Sequence, residues 1–374
     1  MPKPFIPHDL PLNNLDWKSL APRIAKANAE LARYDGLLQT MVNPEILLSP
    51  LTTSEAVLSS MIEGTEASLG EVLQYEAGAL FGREKTNDIH EIGNYRDALR
   101  AAETALLSGR AISLNLIKGL HQILMRGVRG QSKSPGEFRN TQNWIGVKHG
   151  RIEEATYIPP DPLFLTEYLE KWENYTHLND EDILTQLAII HAQFEIIHPF
   201  KDGNGRIGRI LIPLFLFHRK ALHRPMFYLS EFLERNRDEY YFLLTNISKA
   251  NDWQNWILFF LRAVQEQSEI NFEKAKTIFS LYNSMKKTIL LITKSQFALP
   301  VLDTLFAKPI ISVSEFMKQT GIKNRTTANT ILRQLESEGI LEIWKEGLGR
   351  SPAIFAFPKI LSIAEGKDLF VANH

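Results

Sequence analysis

The chain of 374 residues contains no cysteine. That absence excludes disulfide bonds, thiolate metal sites and a cysteine nucleophile, and it fits a reducing compartment. Long apolar runs are scarce. The longest, Ile210–Phe217, contains Pro213 and falls far short of the roughly 20 residues that span a bilayer. The opening residues, Met-Pro-Lys-Pro-Phe-Ile-Pro, lack the apolar centre of a secretory signal. No membrane partner is therefore expected, and the location is read as the cytoplasm or, for a secreted effector, a host cell. An excess of charge is missing too. The formal net charge of −1 gives no bulk attraction to nucleic acid or to an anionic surface. Internal repeats and low-complexity tracts are absent. What remains, 44% hydrophobic and 23% charged, is the make-up of a soluble globular protein with room for about two or three domains.

Against this plain background the segment His198–Arg209 stands out, reading His-Pro-Phe-Lys-Asp-Gly-Asn-Gly-Arg-Ile-Gly-Arg. Upstream, Ile183, Leu187, Ile190, Phe194 and Ile197 recur at helical spacing. Pro199 should end that helix near His198. Downstream, Ile207–Phe217 reads as a second, buried helix. The motif is then a loop between two buried helices, with Gly203 and Gly205 freeing the backbone for unusual dihedrals. The start of the second helix offers orphan N–H groups and the positive end of a dipole to an anion. Arg206 and Arg209, three apart, add forked donors on one face. This chemistry suits phosphates, with Asp202 placed to hold a divalent cation and His198 to act as a general base near neutral pH. A Gly-Asn-Gly turn or an arginine pair alone would mean little; the combination in this order is specific.

The segment resembles the core motif of the Fic family (Fido fold), His-x-Phe-x-Asp/Glu-Gly-Asn-Gly-Arg-x-x-Arg. Each fixed position is met, by His198, Phe200, Asp202, Gly203, Asn204, Gly205, Arg206 and Arg209. The resemblance implies a protein adenylyltransferase that moves AMP from ATP to a Ser, Thr or Tyr hydroxyl of a target protein. It implies that His198 deprotonates that hydroxyl and Asp202 binds Mg²⁺. The Gly203–Gly205 backbone, Asn204 and Arg206 would then cradle the α- and β-phosphates, Gly208 would border the nucleotide, and Arg209 would hold the γ-phosphate. Phe200 would anchor the loop.

Upstream, Thr52-Thr53-Ser54-Glu55 reads as a capping box opening a short helix that Gly64 stops. Glu63 sits in its last turn, a disfavoured place for a carboxylate unless a cation pairs with it. Ser59 lies four residues earlier on the same face. Ser59–Gly64 resembles the family's inhibitory motif, Ser/Thr-x-x-x-Glu-Gly/Asn. By that likeness Glu63 pairs with Arg209, blocks the γ-phosphate and makes the chain a self-inhibited (class II) member.

Residues 69–130 read as mostly helical, and His90 and His121 within them as structural or surface histidines. Residues 136–162 are the main non-helical stretch. There Asn143–Val147 and Ala155–Ile158 flank a turn at His149-Gly150 and read as a hairpin. The resemblance makes it a flap whose edge aligns the target by main-chain pairing, with Trp144, Ile145 and Gly146 bordering the nucleotide. Tyr228-Leu229-Ser230 should open one helix containing Tyr240 and Tyr241, of which at most one can face a given pocket. By resemblance this tyrosine pair lines the adenine pocket.

The last domain reads as helix, helix-turn-helix and a two-stranded wing, the order of a winged helix. Its basic side chains only slightly outnumber the acidic ones, which favours a protein-interaction or dimerisation role over DNA. The expected fold is mainly α: residues 1–100 an N-terminal helical region with the inhibitory helix, 101–265 a Fic core with a β-hairpin flap, 266–297 a connector helix and 298–374 a winged-helix domain. Self-modification and a homodimer stay open as partnerships. Two other functions also stay open: a phosphodiesterase that uses Glu63 to remove AMP from a modified target, and a nucleotide-responsive winged-helix regulator that binds DNA.

Overall fold

A computed structural model describes residues 3–127, 131–146, 151–294, 296–347 and 353–366. The chain divides into two compact units. The first comprises Met1–Asp35, Leu58–Gly64 and Gly93–Glu269; the second comprises Gly36–Val57, Thr65–Ile92 and Ile270–His374. The helices in order are α1 (Trp17–Thr40), α2 (Pro44–Leu47), α3 (Ser49–Ile62), α4 (Leu69–Glu76), α5 (Arg83–Leu107), α6 (Leu114–Leu124), α7 (Leu165–His177), α8 (Ile183–Ile197), α9 (Asn204–His218), α10 (Ser230–Arg235), α11 (Arg237–Ala250), α12 (Trp253–Thr293) and α13 (Ala298–Ala307). The chain then runs through β1 (Ile310–Ser312), α14 (Val313–Thr320), α15 (Arg325–Ser337), β2 (Glu342–Lys345), β3 (Ile354–Ala356) and α16 (Pro358–Glu365).

The first unit is built on α8 and α9. Both are buried on nearly every face, as an all-round apolar helix must be. Asp182 caps α8 by accepting from the Thr185 N–H at 2.7 Å. Trp172 of α7 and Trp256 of α12 donate their indole N–H groups to the α8 carbonyls of Ile190 and Ala188. Two aromatic side chains thereby fix α8 along its length. The helix ends at Ile197, two residues before Pro199, and His198 between them takes a left-handed conformation at φ 49° and ψ 61°. The ring of Pro199 excludes another helical residue, and the left-handed turn sends the chain straight into the loop before α9.

Several expected boundaries move. α3 begins at Ser49, so Thr52–Glu55 lies within the helix and caps nothing; the Thr52 and Thr53 hydroxyls bond back to the carbonyls of Leu48 and Ser49 instead. The helix expected to hold the tyrosine pair is two, α10 and α11, broken at Asn236 (φ −113°, ψ 33°). The connector expected at 266–297 is continuous with the helix before it, in the single 41-residue α12, which the compact units divide at Glu269. Among the described residues the flap shows one bridge rather than two strands: Ile145 donates to Tyr157 and accepts from Thr156. Residues 152–154 form a 3-10 turn in place of a longer ladder, and Val147–Gly150 lie outside the described residues.

In the second unit α13 packs on α2 and β1 on α4. Ser312 caps α14 and Asn324 caps α15 through side-chain oxygens. The three short strands form one antiparallel sheet in the order β1-β3-β2. β1 and α16 were not foreseen in the sequence. Leu348–Arg350, expected at the wing tip, lie outside the described residues.

Candidate active site

The loop between α8 and α9 is latched from within. Asn204 accepts from the Phe200 N–H at 2.8 Å and donates to the Phe200 carbonyl at 2.9 Å. Its amide is thereby engaged and buried, so it shapes the loop. Gly203 has φ 79°, the left-handed conformation that favours glycine. Its N–H donates to Asp202 Oδ1 at 2.6 Å. Gly205 is helical, and its missing side chain gives space: a Cβ there would lie 2.2 Å from Glu63 Oε1.

The loop is also held from outside, by Arg139, which no sequence pattern singles out, and by His121, expected as a structural or surface histidine. Arg139 is buried and spans the C-terminal end of α8. Its Nε donates to the His198 carbonyl at 2.9 Å, and its Nη2 donates to the carbonyls of Pro160 at 2.6 Å and Ile197 at 3.4 Å. A cation at that end of the helix also meets the dipole favourably. Burial lowers the Arg139 pKa to about 10, so it is still charged at neutral pH. His121 accepts the Gly136 N–H on Nδ1 at 2.9 Å, which leaves Nε2 protonated to donate to the Asp202 carbonyl at 3.0 Å. Its ring stacks on Phe200 at 3.7 Å. The available signal was the aromatic and arginine in Gly136–Arg139, at the start of the non-helical stretch.

A cavity of about 550 Å³ opens beside the loop, within the range of small-molecule sites. It brings together Glu63, Trp144, Ile145, Gly146, His198, Gly205, Arg209, Tyr240 and Tyr241 from the expected set. Both tyrosines reach this wall, because Tyr240 is buried beneath it while Tyr241 is 41% exposed upon it. The Tyr240 hydroxyl bonds to His191 Nε2 at 2.9 Å. Asp202, Gly203, Asn204, Arg206 and Gly208 do not line the cavity. Arg206 is buried beside Asp202, its Nη2 3.5 Å from Oδ1.

His198 lines the cavity with Nδ1 3.3 Å from the Glu195 carbonyl. A carbonyl only accepts, so Nδ1 carries the proton and the Nε2 lone pair is left for another partner. Burial lowers the His198 pKa to about 4, outweighing the Glu195 hydrogen bond and the Glu63 charge that act the other way. The imidazole is therefore a neutral base at physiological pH.

Arg209 is buried, and donates through Nε to Ser59 Oγ at 2.8 Å and through Nη2 to Ser59 O at 2.9 Å and Glu63 Oε1 at 2.7 Å. Burial alone would raise the Glu63 carboxyl, but the charge and hydrogen bond of Arg209, with Arg206 and His198, hold it below the ordinary carboxylate value. The third of its side-chain surface that is exposed faces the cavity it lines. Glu63 thus sits as an anion over Gly205 near the start of α9, where orphan N–H groups favour negative charge. Gly64 follows at φ 92° and stops the helix, its N–H donating to the Met61 carbonyl. From α11, Arg237 donates to the Ile62 carbonyl at 2.7 Å and holds the same end of α3.

Among the described residues no group of three or more His, Asp or Glu could hold a metal ion by itself. Asp202, 45% exposed with one oxygen engaged by Gly203, offers a single carboxylate. That suits a cation that arrives with phosphates and keeps several waters, as Mg²⁺ does.

Comparison with known proteins places this site in a family. A model described as Fic/DOC family N-terminal matches residues 21–104, and one described as Fic/DOC family matches 111–216, together just over half of the chain. A probable protein adenylyltransferase of Aquifex aeolicus is 24% identical over 88% of this chain and 94% of its own. A protein adenylyltransferase of Caenorhabditis elegans is 29% identical over 57% of this chain, which spans only 39% of that longer relative. Among solved structures, a Fic family protein from Desulfovibrio desulfuricans matches 90% of this chain and 96% of its own, with a TM-score of 0.56 at 19% identity.

Proposed function

The chain belongs to the Fic/DOC family, and we propose that it is a protein adenylyltransferase that carries AMP from ATP to a Ser, Thr or Tyr hydroxyl of a target protein and is restrained by its own Glu63. The observation that carries this reading is the shared cavity. A neutral imidazole, Gly205 at the start of α9 and a buried arginine meet there, and a carboxylate of the same chain already occupies the arginine.

The chemistry follows from those groups. The target hydroxyl oxygen attacks the α-phosphorus and forms a new P–O bond. Its proton passes to His198 Nε2, the one ring nitrogen left unpaired. The bond from the α-phosphorus to the bridging oxygen breaks, and pyrophosphate leaves. The rate gain comes from positioning and from stabilising charge on the transferring group. Asp202 would hold Mg²⁺, which supplies neutralisation of the phosphate charge when bound. Trp144 and Ile145, 41% and 42% exposed, offer an edge for the target segment beside the cavity. The element order from α13 to β3 agrees with a winged helix, read here as a protein-interaction or dimerisation module at 298–374.

Mass spectrometry of the Glu63→Gly protein incubated with ATP and Mg²⁺ tests the reading. The expected result is a gain of one AMP on a hydroxyl residue, of this chain or of a target, that disappears in Glu63→Gly/His198→Ala. Labelling that survives loss of His198 would overturn the assignment of the base, and no labelling of any protein would overturn the reaction.

A further inference from the structure

Glu195 is a carboxyl on the wall of the nucleotide cavity that no residue described so far explains. It lies three residues before His198 on α8 and lines the cavity with Glu63, His198 and Arg209. Its Oε1 is enclosed and has no hydrogen-bond partner. The enclosure is built into the helix pair: Oε1 lies 2.2 Å from where a Cβ of residue 208 would stand, so Gly208 is a glycine where this carboxyl needs room. The residue itself lines the cavity, and of its two carboxyl oxygens Oε1 is the one enclosed without a partner.

Leaving a polar atom buried without a partner is unfavourable, and much more so if the group is charged. The Arg209 side chain gives Oε1 no hydrogen bond, its Nε and Nη2 being directed to Ser59 and Glu63. The groups around the carboxyl are Glu63 from the turn after α3, His191 from its own helix and His198 just past its end, Arg209 from α9, and Arg237, Tyr240 and Tyr241 from α11. Burial raises the Glu195 pKa to about 8; the Arg209 charge pulls it down and the Glu63 charge pushes it up. The two cavity carboxyls are thus set apart. Glu63 is the anion that pairs with Arg209, and Glu195 is a neutral acid at pH 7. A neutral acid keeps its bare oxygen where solvent cannot reach and its O–H where a partner can. The enclosed Oε1 is then the carbonyl oxygen, and Oε2 carries the proton into the cavity.

We propose that Glu195 is a further nucleotide-binding residue, whose Oε2–H donates a hydrogen bond to an oxygen of the terminal phosphates held by Arg209. The proposal rests on the adenylyltransferase reading above. Its electrostatic logic is a division of labour. Arg209 supplies charge, and Glu195 supplies a donor that adds no net positive charge. Loss of the proton turns the donor into an anion beside the phosphates, so binding weakens as pH rises.

Isothermal titration of a non-hydrolysable α,β-methylene ATP analogue with Mg²⁺ between pH 6 and pH 9 tests this in the Glu63→Gly protein. Removing Glu63 takes away one cause of the upward shift, so the fall in affinity begins below about pH 8. The analogue should bind about ten-fold more weakly or worse at pH 9 than at pH 6, the loss expected once ionisation lies a pH unit past its midpoint. Glu63→Gly/Glu195→Gln keeps the shape and a donor but cannot ionise, and should bind with nearly the same affinity across the range. AMP, which lacks the terminal phosphates, should bind Glu63→Gly with little pH dependence. Equal pH profiles for Glu63→Gly and Glu63→Gly/Glu195→Gln overturn the role of Glu195 and leave the adenylyltransferase reading standing. A Glu63→Gly protein that binds no analogue at any pH overturns both.

Discussion

At the scale of single residues, His198 is held where its chain would not rest unaided. A non-glycine residue in the left-handed region costs on the order of 1–2 kcal/mol, and His198 lies there at φ 49°. Arg139 is the main restraint, through charge-assisted bonds to the carbonyls of His198, Pro160 and Ile197. Such bonds contribute about 1.5–3 kcal/mol where one partner is charged, enough to offset the conformational cost. Arg139→Ala in a Glu63→Gly background should therefore misplace the base more than the nucleotide. The expected outcome is a fall in kcat of roughly 10- to 100-fold with KM for ATP little changed, and Arg139→Lys should recover part of it by restoring one donor. Steady-state kinetics with a peptide acceptor would read the split. If kcat and KM move together in step with a lost melting transition, Arg139 holds only the fold.

At the scale of elements, α8 and α9 were legible because an unbroken apolar pattern stops at Pro199 and resumes at Ile207. The pairing of α3 with Arg209 was foreseen only through resemblance to a known motif, since nothing local to Glu63 names a partner 146 positions away. The start of α3 was misplaced because Thr and Ser can satisfy their own helix as well as cap one. The break at Asn236 and the reduction of the flap to one bridge depend on tertiary packing that periodicity does not record. Arg139 and Glu195 escaped notice for a related reason: the first acts on backbone carbonyls and the second against a glycine, and neither kind of partner leaves a side-chain pattern in the sequence. Arg237 belongs to the same group. Its bond to the Ile62 carbonyl fastens the end of α3 one residue before Glu63, and its guanidinium lies 5.9 Å from the Tyr241 ring. Arg237→Ala should loosen α3 without removing the inhibitory carboxylate. AMP incorporation into the otherwise wild-type chain should rise by several-fold, as expected for losing about 1–2 kcal/mol of restraint, and stay well below that of Glu63→Gly. Incorporation no higher than wild type would show that the Glu63–Arg209 pair alone sets the restraint.

At the scale of the whole molecule, the second compact unit joins segments that the sequence reading had set at opposite ends of the chain. α2 and α4 come from the N-terminal region, and α13 and β1 from the last domain, yet they share one core. The buried side chains there include Leu47 of α2, Val72 and Leu73 of α4, and Val301, Leu302 and Leu305 of α13. A last domain that folded as a separate appendage would leave α2 and α4 indifferent to its removal. The shared core argues otherwise, since each fully buried aliphatic side chain contributes about 1.5–3 kcal/mol relative to exposure. Uncovering even Leu47, Val72 and Leu73 should remove several kcal/mol from this unit. A chain ending at Thr293 should then melt at least about 10 °C lower in its first transition and bind an apolar dye such as ANS before melting, with the dye signal absent from the full chain. A truncated chain that melts with the intact one and binds no dye would show that α2 and α4 hold without α13 and β1.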